Sequence, residues 1–292
     1  AHAGHLVERD LLRRVEADLH AGRDAALLVD HHAAQPDVLA DVDLSGARLL
    51  GADLRQAHWT GVHLDGAQLQ GVHLDGAILD ECTLRGARLD GVSTGKTTCF
   101  ACDFSDSGWS GATGEGMNLV NCRFDRADLS GVDFRRWTVL DCGFANATLS
   151  RARIQEATID EGSFEGAQFE AADLTGAKFL TVGLRGAQFR TAEAPGALLT
   201  ECDMSRADFS GANLADALLT ESNLADAVFQ DARLEKASFT NSVLDGIDLR
   251  GAQVGLTSFR NTDMANLKNP PRHWPRCDFT RARLAEFDFS AS

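Results

Sequence analysis

Basic residues are scarce: 28 Lys and Arg stand against 43 Asp and Glu in 292 residues, a formal net charge of −15. A field of that sign argues against binding nucleic acid or an anionic membrane through general electrostatics, and a charged partner would have to be basic. Long apolar runs are missing as well. Nothing matches a secretory apolar core or a run of about 18 apolar residues, so the sequence predicts neither a membrane span nor export by a standard signal, and the expected location is the cytoplasm. A glycine-rich phosphate loop on a strand-to-helix turn is absent too; most of the 27 glycines recur at the end of a five-residue unit, where tight corners need them.

What the chain does have is a period. A large apolar residue occupies every fifth position from Leu44, Leu49, Leu54 and Trp59 through Leu89, and again from Phe104, Trp109 and Leu119 through Leu174. The phase still holds at Phe279, Leu284 and Phe289, and two residues before most large residues stands a small one, as at Ala47, Ala87, Ala127, Ala167 and Ala212. Five fits neither the period of a strand nor that of an α-helix, so two inward side chains per five residues imply a chain that turns steadily about an axis. A second spacing is superimposed on the first: Cys82, Cys102, Cys122 and Cys142 are twenty apart, as are Phe104, Phe124, Phe144 and Phe164, and Phe169, Phe189, Phe209 and Phe229. Like residues should therefore stack on like, one coil per twenty residues.

The small-x-large units with Asp or Asn between, such as Ala52-Asp53-Leu54, Ala127-Asp128-Leu129 and Ala212-Asn213-Leu214, resemble those of the pentapeptide-repeat family over roughly residues 42–289. That resemblance implies an all-β fold, a right-handed quadrilateral parallel β-helix of about twelve coils. At about 4.8 Å between stacked strands the rod would be roughly 60 Å long, with a continuous core whose stability is approximately a sum over coil interfaces. Ahead of it, Val7, Leu11 and Val15 with Leu12 and Leu19 predict an amphipathic helix ending near Gly22, and a second short helix is expected around Asp24–His31. Residues 1–41 are thus read as an N-terminal helical cap and 42–291 as the repeat domain. Irregular coils are expected at 92–116, where Thr94, Cys99 and Gly114 take large positions, and at 267–276. In the latter, regular winding would bury Arg272, so a bulge around Pro270 and Pro271 is expected. The last coil carries Leu284, Phe287 and Phe289, with Phe287 at a small position, and this end is a candidate homodimer contact.

Catalytic chemistry finds little support. The cysteines read as inward packing residues, His58, His63 and His73 as outward polar ones, and the carboxylates lie on convex faces without a pocket to desolvate them. No catalytic, metal-ligating or cofactor-binding set is assigned, and the protein is expected not to be an enzyme. Sorting outward residues by face gives the candidate site. The face centred on Leu79, Leu119, Val139, Ile159, Phe179, Leu199 and Leu219 carries Asp80, Glu81, Asp141, Asp160, Glu161, Glu201, Glu221 and Asp278, eight acids, against Lys178, Arg260 and Arg281. It also places Ile78, Phe100, Val120, Leu140, Leu180, Leu198 and Leu218 outward. An acidic strip interleaved with apolar residues suits an interface with a basic protein surface. Two readings follow: an interaction scaffold, of the kind attached to secretion machinery or effector proteins, or, as the resemblance implies, a DNA mimic that binds DNA gyrase or another topoisomerase and protects it from quinolones or toxins.

Overall fold

The structure is a computed structural model that describes residues 38–284. The helices expected within 1–37 lie outside the described residues, and the expected boundary at 42 shifts: Val38–Ala40 already form the first strand, β1. From there the backbone winds in coils of twenty residues. Four parallel ladders run along the rod, one for each five-residue side, as in Asp43↔His63, Arg48↔Gln68, Asp53↔His73 and His58↔Ile78. We call the sides A to D. Side A is centred on Trp59, Leu79 and their successors, and sides B, C and D follow it in chain order.

Each five-residue unit pairs most of its backbone N–H groups. In the unit around Leu64, the His63 N–H donates back to Val42 O (2.8 Å), while the Leu64 and Gly66 N–H groups donate forward to Thr83 O (2.7 Å) and Arg85 O (2.8 Å). The Ala67 N–H closes a β-turn on Leu64 O at 3.0 Å. The third residue of each such turn is left-handed, as at Gly46 (φ 70°), Arg126 (φ 58°) and Leu256 (φ 60°), which is type II geometry and explains the glycine column. One N–H remains, and the Asp or Asn before the large residue takes it. Ser45 N–H donates to Asp43 Oδ1 (2.9 Å), Ser130 N–H to Asp128 Oδ1 (3.0 Å) and Ala225 N–H to Asn223 Oδ1 (3.1 Å). These local side-chain turns are the physical reason for the Ala-Asp-Leu signature.

Side A differs through most of the rod. There β1 is followed by β2 (His58–Thr60), β3 (Ile78–Asp80), β4 (Thr98–Phe100), β5 (Asn118–Val120), β6 (Thr138–Leu140), β7 (Thr158–Asp160), β8 (Lys178–Leu180) and β9 (Leu198–Thr200), a nine-stranded parallel sheet in sequence order. The corner after each strand is open, and where a cysteine or serine stands one coil later its side chain plugs it. Cys102 Sγ donates to Leu79 O (3.4 Å), Cys122 Sγ to Cys99 O (3.4 Å) and Ser222 Oγ to Leu199 O (3.2 Å). In return the Cys122 N–H donates to Cys142 Sγ (3.2 Å) and the Cys202 N–H to Ser222 Oγ (3.0 Å). The twenty-residue cysteine column is thus a hydrogen-bonded plug as well as packing. From Ser242 the corner closes on its own backbone, Ser242 N–H to Phe239 O at 3.1 Å, and side A continues as single bridges.

Inside runs one hydrophobic core. Phe104, Phe124, Phe144 and Phe164 stack with ring centroids 4.7, 4.8 and 4.3 Å apart, and Phe169, Phe189, Phe209 and Phe229 at 4.7, 4.7 and 4.9 Å. Residues 92–116, expected to be irregular, keep the regular ladder, with bridges Ser93↔Thr113 and Gly108↔Asp128. Their polar side chains are satisfied inside: Thr97 Oγ1 donates to Leu74 O (2.6 Å) and Thr94 Oγ1 to Thr113 O (3.2 Å). Gly114 leaves the room, since a Cβ there would lie 2.1 Å from Thr94 Oγ1. Around 269–273 the winding does break, and Asn269, Pro270, Arg272 and His273 are exposed. The last strands, β10 (Asp263–Met264) and β11 (Arg283–Leu284), pair on side B.

Candidate protein-binding face

The acids and outward apolar residues singled out on the acidic strip fall on side A or its open corners. Register puts Asp80, Phe100, Val120, Leu140, Asp160, Leu180 and Thr200 in one outward column. Phe100, Val120 and Leu140 are therefore contiguous, closed off by a carboxylate at each end. The parallel column holds Lys178, Leu198 and Leu218 in succession. Phe100, Leu140 and Leu218 are 41%, 41% and 43% exposed, whereas Leu180 and Leu198 are half-buried. Glu81, Asp141, Glu161, Glu201 and Glu221 form the exposed corner row, each at positive φ. Leu284, of the suggested dimer end, is half-buried on β11, and Phe287 and Phe289 lie outside the described residues.

The acids of this side differ from those elsewhere on the rod. On the other sides most carboxylates are occupied by turns and by cations: Asp208 accepts from Ser210 N–H (2.9 Å) and Arg190 Nε (2.6 Å), and Asp106 accepts from Arg126 Nε and Nη2, both at 2.7 Å. Burial pushes the Asp208 carboxyl up, but the Ser210 hydrogen bonds and the Arg190 guanidinium outweigh it and hold the group below the usual carboxylate range. Hydrogen bonds from Arg55 hold Asp53 at about 2. Among the described residues, none of Asp80, Glu81, Asp141, Asp160, Glu161, Glu201 and Glu221 forms an ion pair; side A has one pair, Arg260 with Asp278 at 3.6 Å, further along the rod. Seven carboxylates are thus left with their charge uncompensated beside exposed apolar side chains. Periodicity located these residues, but nothing in the sequence separated them from the structurally occupied acids.

The other constellations resolve into structure. His63 Nδ1 meets Thr83 Oγ1 at 3.1 Å and His73 Nδ1 meets Ser93 Oγ at 2.9 Å, each joining adjacent coils. Six of the seven cysteines are buried, and burial pushes the Cys202 thiol up to about 11, away from nucleophilic use. Cys99 and Cys102 form a Cys-x-x-Cys, yet no cluster of three or more His, Cys, Asp or Glu suited to a metal occurs among the described residues. No helix among those residues is long and apolar enough to cross a membrane.

Among curated proteins none matches this sequence. Solved structures do. The chain is 18% identical to HetL, a pentapeptide repeat protein involved in heterocyst differentiation regulation from the cyanobacterium Nostoc sp. strain PCC 7120, covering 91% of this chain and 97% of HetL at a TM-score of 0.30. It is 24% identical to a trypsin-treated form of QnrB1, a plasmid-mediated fluoroquinolone resistance protein, covering 72% of this chain and 90% of that one at 0.31. The A-module of the Azotobacter vinelandii mannuronan C-5 epimerase AlgE6 aligns at 10% identity over 91% and 96%, with a TM-score of 0.38. A family model described as pentapeptide repeats matches residues 38–74, 60–93, 99–136, 184–220 and 217–254, and a second of the same description matches 144–188. With four ladders twenty residues apart and these matches over more than half its length, the chain belongs to the pentapeptide-repeat family.

Proposed function

We propose that this rod is a non-catalytic interaction scaffold that binds a protein partner through side A, with the partner contributing basic residues around an apolar ridge. The observation that carries the reading is the set of seven carboxylates without ion pairs, beside Phe100, Leu140 and Leu218, in a molecule whose other acids are largely engaged in turns and salt bridges. The apolar ridge would supply burial, and the free charges would speed encounter and select sign. Charge density favours this scaffold over DNA mimicry. The coils of Glu81 and Glu221 are seven steps apart, about 34 Å at about 4.8 Å per step, and a DNA duplex presents about 20 charges over that length. Seven carboxylates with leucines between them resemble duplex DNA poorly. The C-terminal coil, where Leu284 is half-buried, is the end at which a second copy would stack, and light scattering at micromolar concentration reads that dimer.

The test compares three proteins in a pull-down from host lysate at low and moderate salt: the intact rod, the side A variant Glu161→Lys, Glu201→Lys and Glu221→Lys, and an equal reversal on side C, Asp128→Lys, Glu170→Lys and Asp231→Lys. A partner kept by the side C variant and lost by the side A variant supports the face. Equal retention by both variants refutes it. If the captured partner is a topoisomerase and the rod inhibits its supercoiling in a salt-sensitive way, the mimicry reading replaces the scaffold.

A further inference from the structure

The four ladders do not end together. Sides A, B and C carry last bridges Ser258↔Asp278, Asp263↔Arg283 and Asp248↔Lys268, whereas side D stops at Arg233↔Gln253. In the coil before, the Asp231 N–H donates to Arg250 O (2.8 Å), the Leu234 N–H to Gln253 O (2.8 Å), and the Gln253 N–H to Ala232 O (2.9 Å). The groups that should repeat these bonds one coil later are the Gly251 N–H, the Val254 N–H and the Ala252 carbonyl. Among the described residues none of the three has a partner. A strand edge of Gly251–Val254 is therefore open on one side of the rod.

A groove of about 620 Å³ lies along it, between 250–255 and the loop 269–273. The loop is held away at both ends. Asn269 Nδ2 donates to Asp248 Oδ2 (2.9 Å) at its start, and the Leu256 N–H reaches Pro275 O (2.8 Å) past its end, where Trp274 packs edge-on against Phe259 at 5.6 Å. Held in this way, the loop makes none of the three missing ladder bonds. The walls are basic on an otherwise acidic rod: Arg272 and His273 are exposed, and Arg250 is only loosely tied to Asp248 at 3.7 Å. Among the described residues, Glu235 is the one acid lining the groove; its Oε2 is buried and lacks a hydrogen-bond donor, with Arg233 Nε 3.9 Å away.

We propose that this edge receives an extended acidic peptide as an added strand. Its main chain would take up the three free backbone groups, its carboxylates would face Arg250, Arg272 and His273, and a hydroxyl or amide would serve Glu235. Strand addition of this kind draws affinity from main-chain bonds and selectivity from alternate side chains. The site is separate from side A and requires no partner there.

The probe is a labelled peptide of alternating glutamate and threonine, titrated into the intact protein by fluorescence anisotropy, with a lysine-threonine peptide as control. The expected result is saturable, salt-sensitive binding of the acidic peptide only, weakened about tenfold or more by Arg272→Glu and less by Arg272→Ala. Because Arg272 is exposed in a loop, both variants keep the ladder. Hydrogen exchange supplies the structural readout: the Val254 amide exchanges faster than that of Leu234 in the free protein and slows when the acidic peptide binds. Absence of saturable binding, equal binding of the lysine peptide, or binding without protection of the Val254 amide overturns the proposal.

Discussion

Replacing Ser222 with alanine tests the corner plug at its best-defined point. Ser222 is 3% exposed, and its hydroxyl has one proton to share between Leu199 O (3.2 Å) and Thr220 O (2.9 Å) while accepting from the Cys202 N–H (3.0 Å). Alanine fits the space and the helical sense of the coil, so the loss is polar. The Cys202 N–H is left without an acceptor beside a buried core, a penalty of about 1–3 kcal/mol; Thr220 O keeps its ladder bond from the Glu201 N–H (3.1 Å) and adds less. Ser222→Cys should recover most of this, because cysteine fills the same role one coil earlier, where Cys202 Sγ donates to Phe179 O at 3.4 Å. The assay is a urea midpoint combined with hydrogen exchange of the Cys202 amide, since a repeat rod need not unfold in one step. Alanine should lower the midpoint and speed that amide; cysteine should restore both. If alanine stays within about 0.5 kcal/mol of the parent, the ordinary range for a neutral substitution, or cysteine is no better than alanine, the plug is only packing.

Three further outcomes follow from particular sites. Gly114→Ala should destabilise by about 1–3 kcal/mol through overpacking, because its Cβ would meet Thr94 Oγ1 at 2.1 Å, and adding Thr94→Ala should recover part of the lost urea midpoint. Asp208→Asn should destabilise at neutral pH. The folded carboxyl is held below its unfolded value of about 3.9, so its contribution is complete above that value and disappears as pH falls through the folded one; midpoints measured across acid pH should therefore converge. Leu256→Asn should raise the thermal midpoint slightly. Leucine there is 49% exposed at φ 60°, a conformation costing about 1–2 kcal/mol for most side chains and one that Asn241 and Asn261 adopt at the equivalent place in other five-residue units.

The winding was legible because steric repetition writes it directly into the sequence. Each inward Leu or Phe must sit over its equivalent twenty residues earlier, and the stacked rings from Phe104 to Phe164 show that constraint satisfied. The candidate face was legible as a position but not as a chemical difference. Asp106, Asp216 and Asp226 hold the same place in their five-residue units as Asp141, Glu161 and Glu201, yet the first three pair with Arg126, Lys236 and Lys268 and the last three pair with no cation among the described residues. The cysteine column was visible as spacing, but its hydrogen bonds depend on a corner left open by the backbone, which no side-chain pattern announces. Residues 92–116 misled in the opposite direction. Their polar side chains suggested a broken coil, but Thr94 and Thr97 find acceptors on neighbouring turns, and the ladder passes through unaltered.

Because each ladder bond joins residues twenty apart while each side takes five, length changes act on this rod as rotations. Removing one whole coil, such as 202–221, would shorten it and bring the surviving columns back into line. Removing a single five-residue unit would leave every core position filled, yet turn everything downstream by a quarter revolution, swinging later carboxylates off side A and onto its neighbour. Angular register, counted in fives, would then decide which partner-facing groups share a surface, and a chain of this kind could gain or lose a binding face without changing a single inward residue.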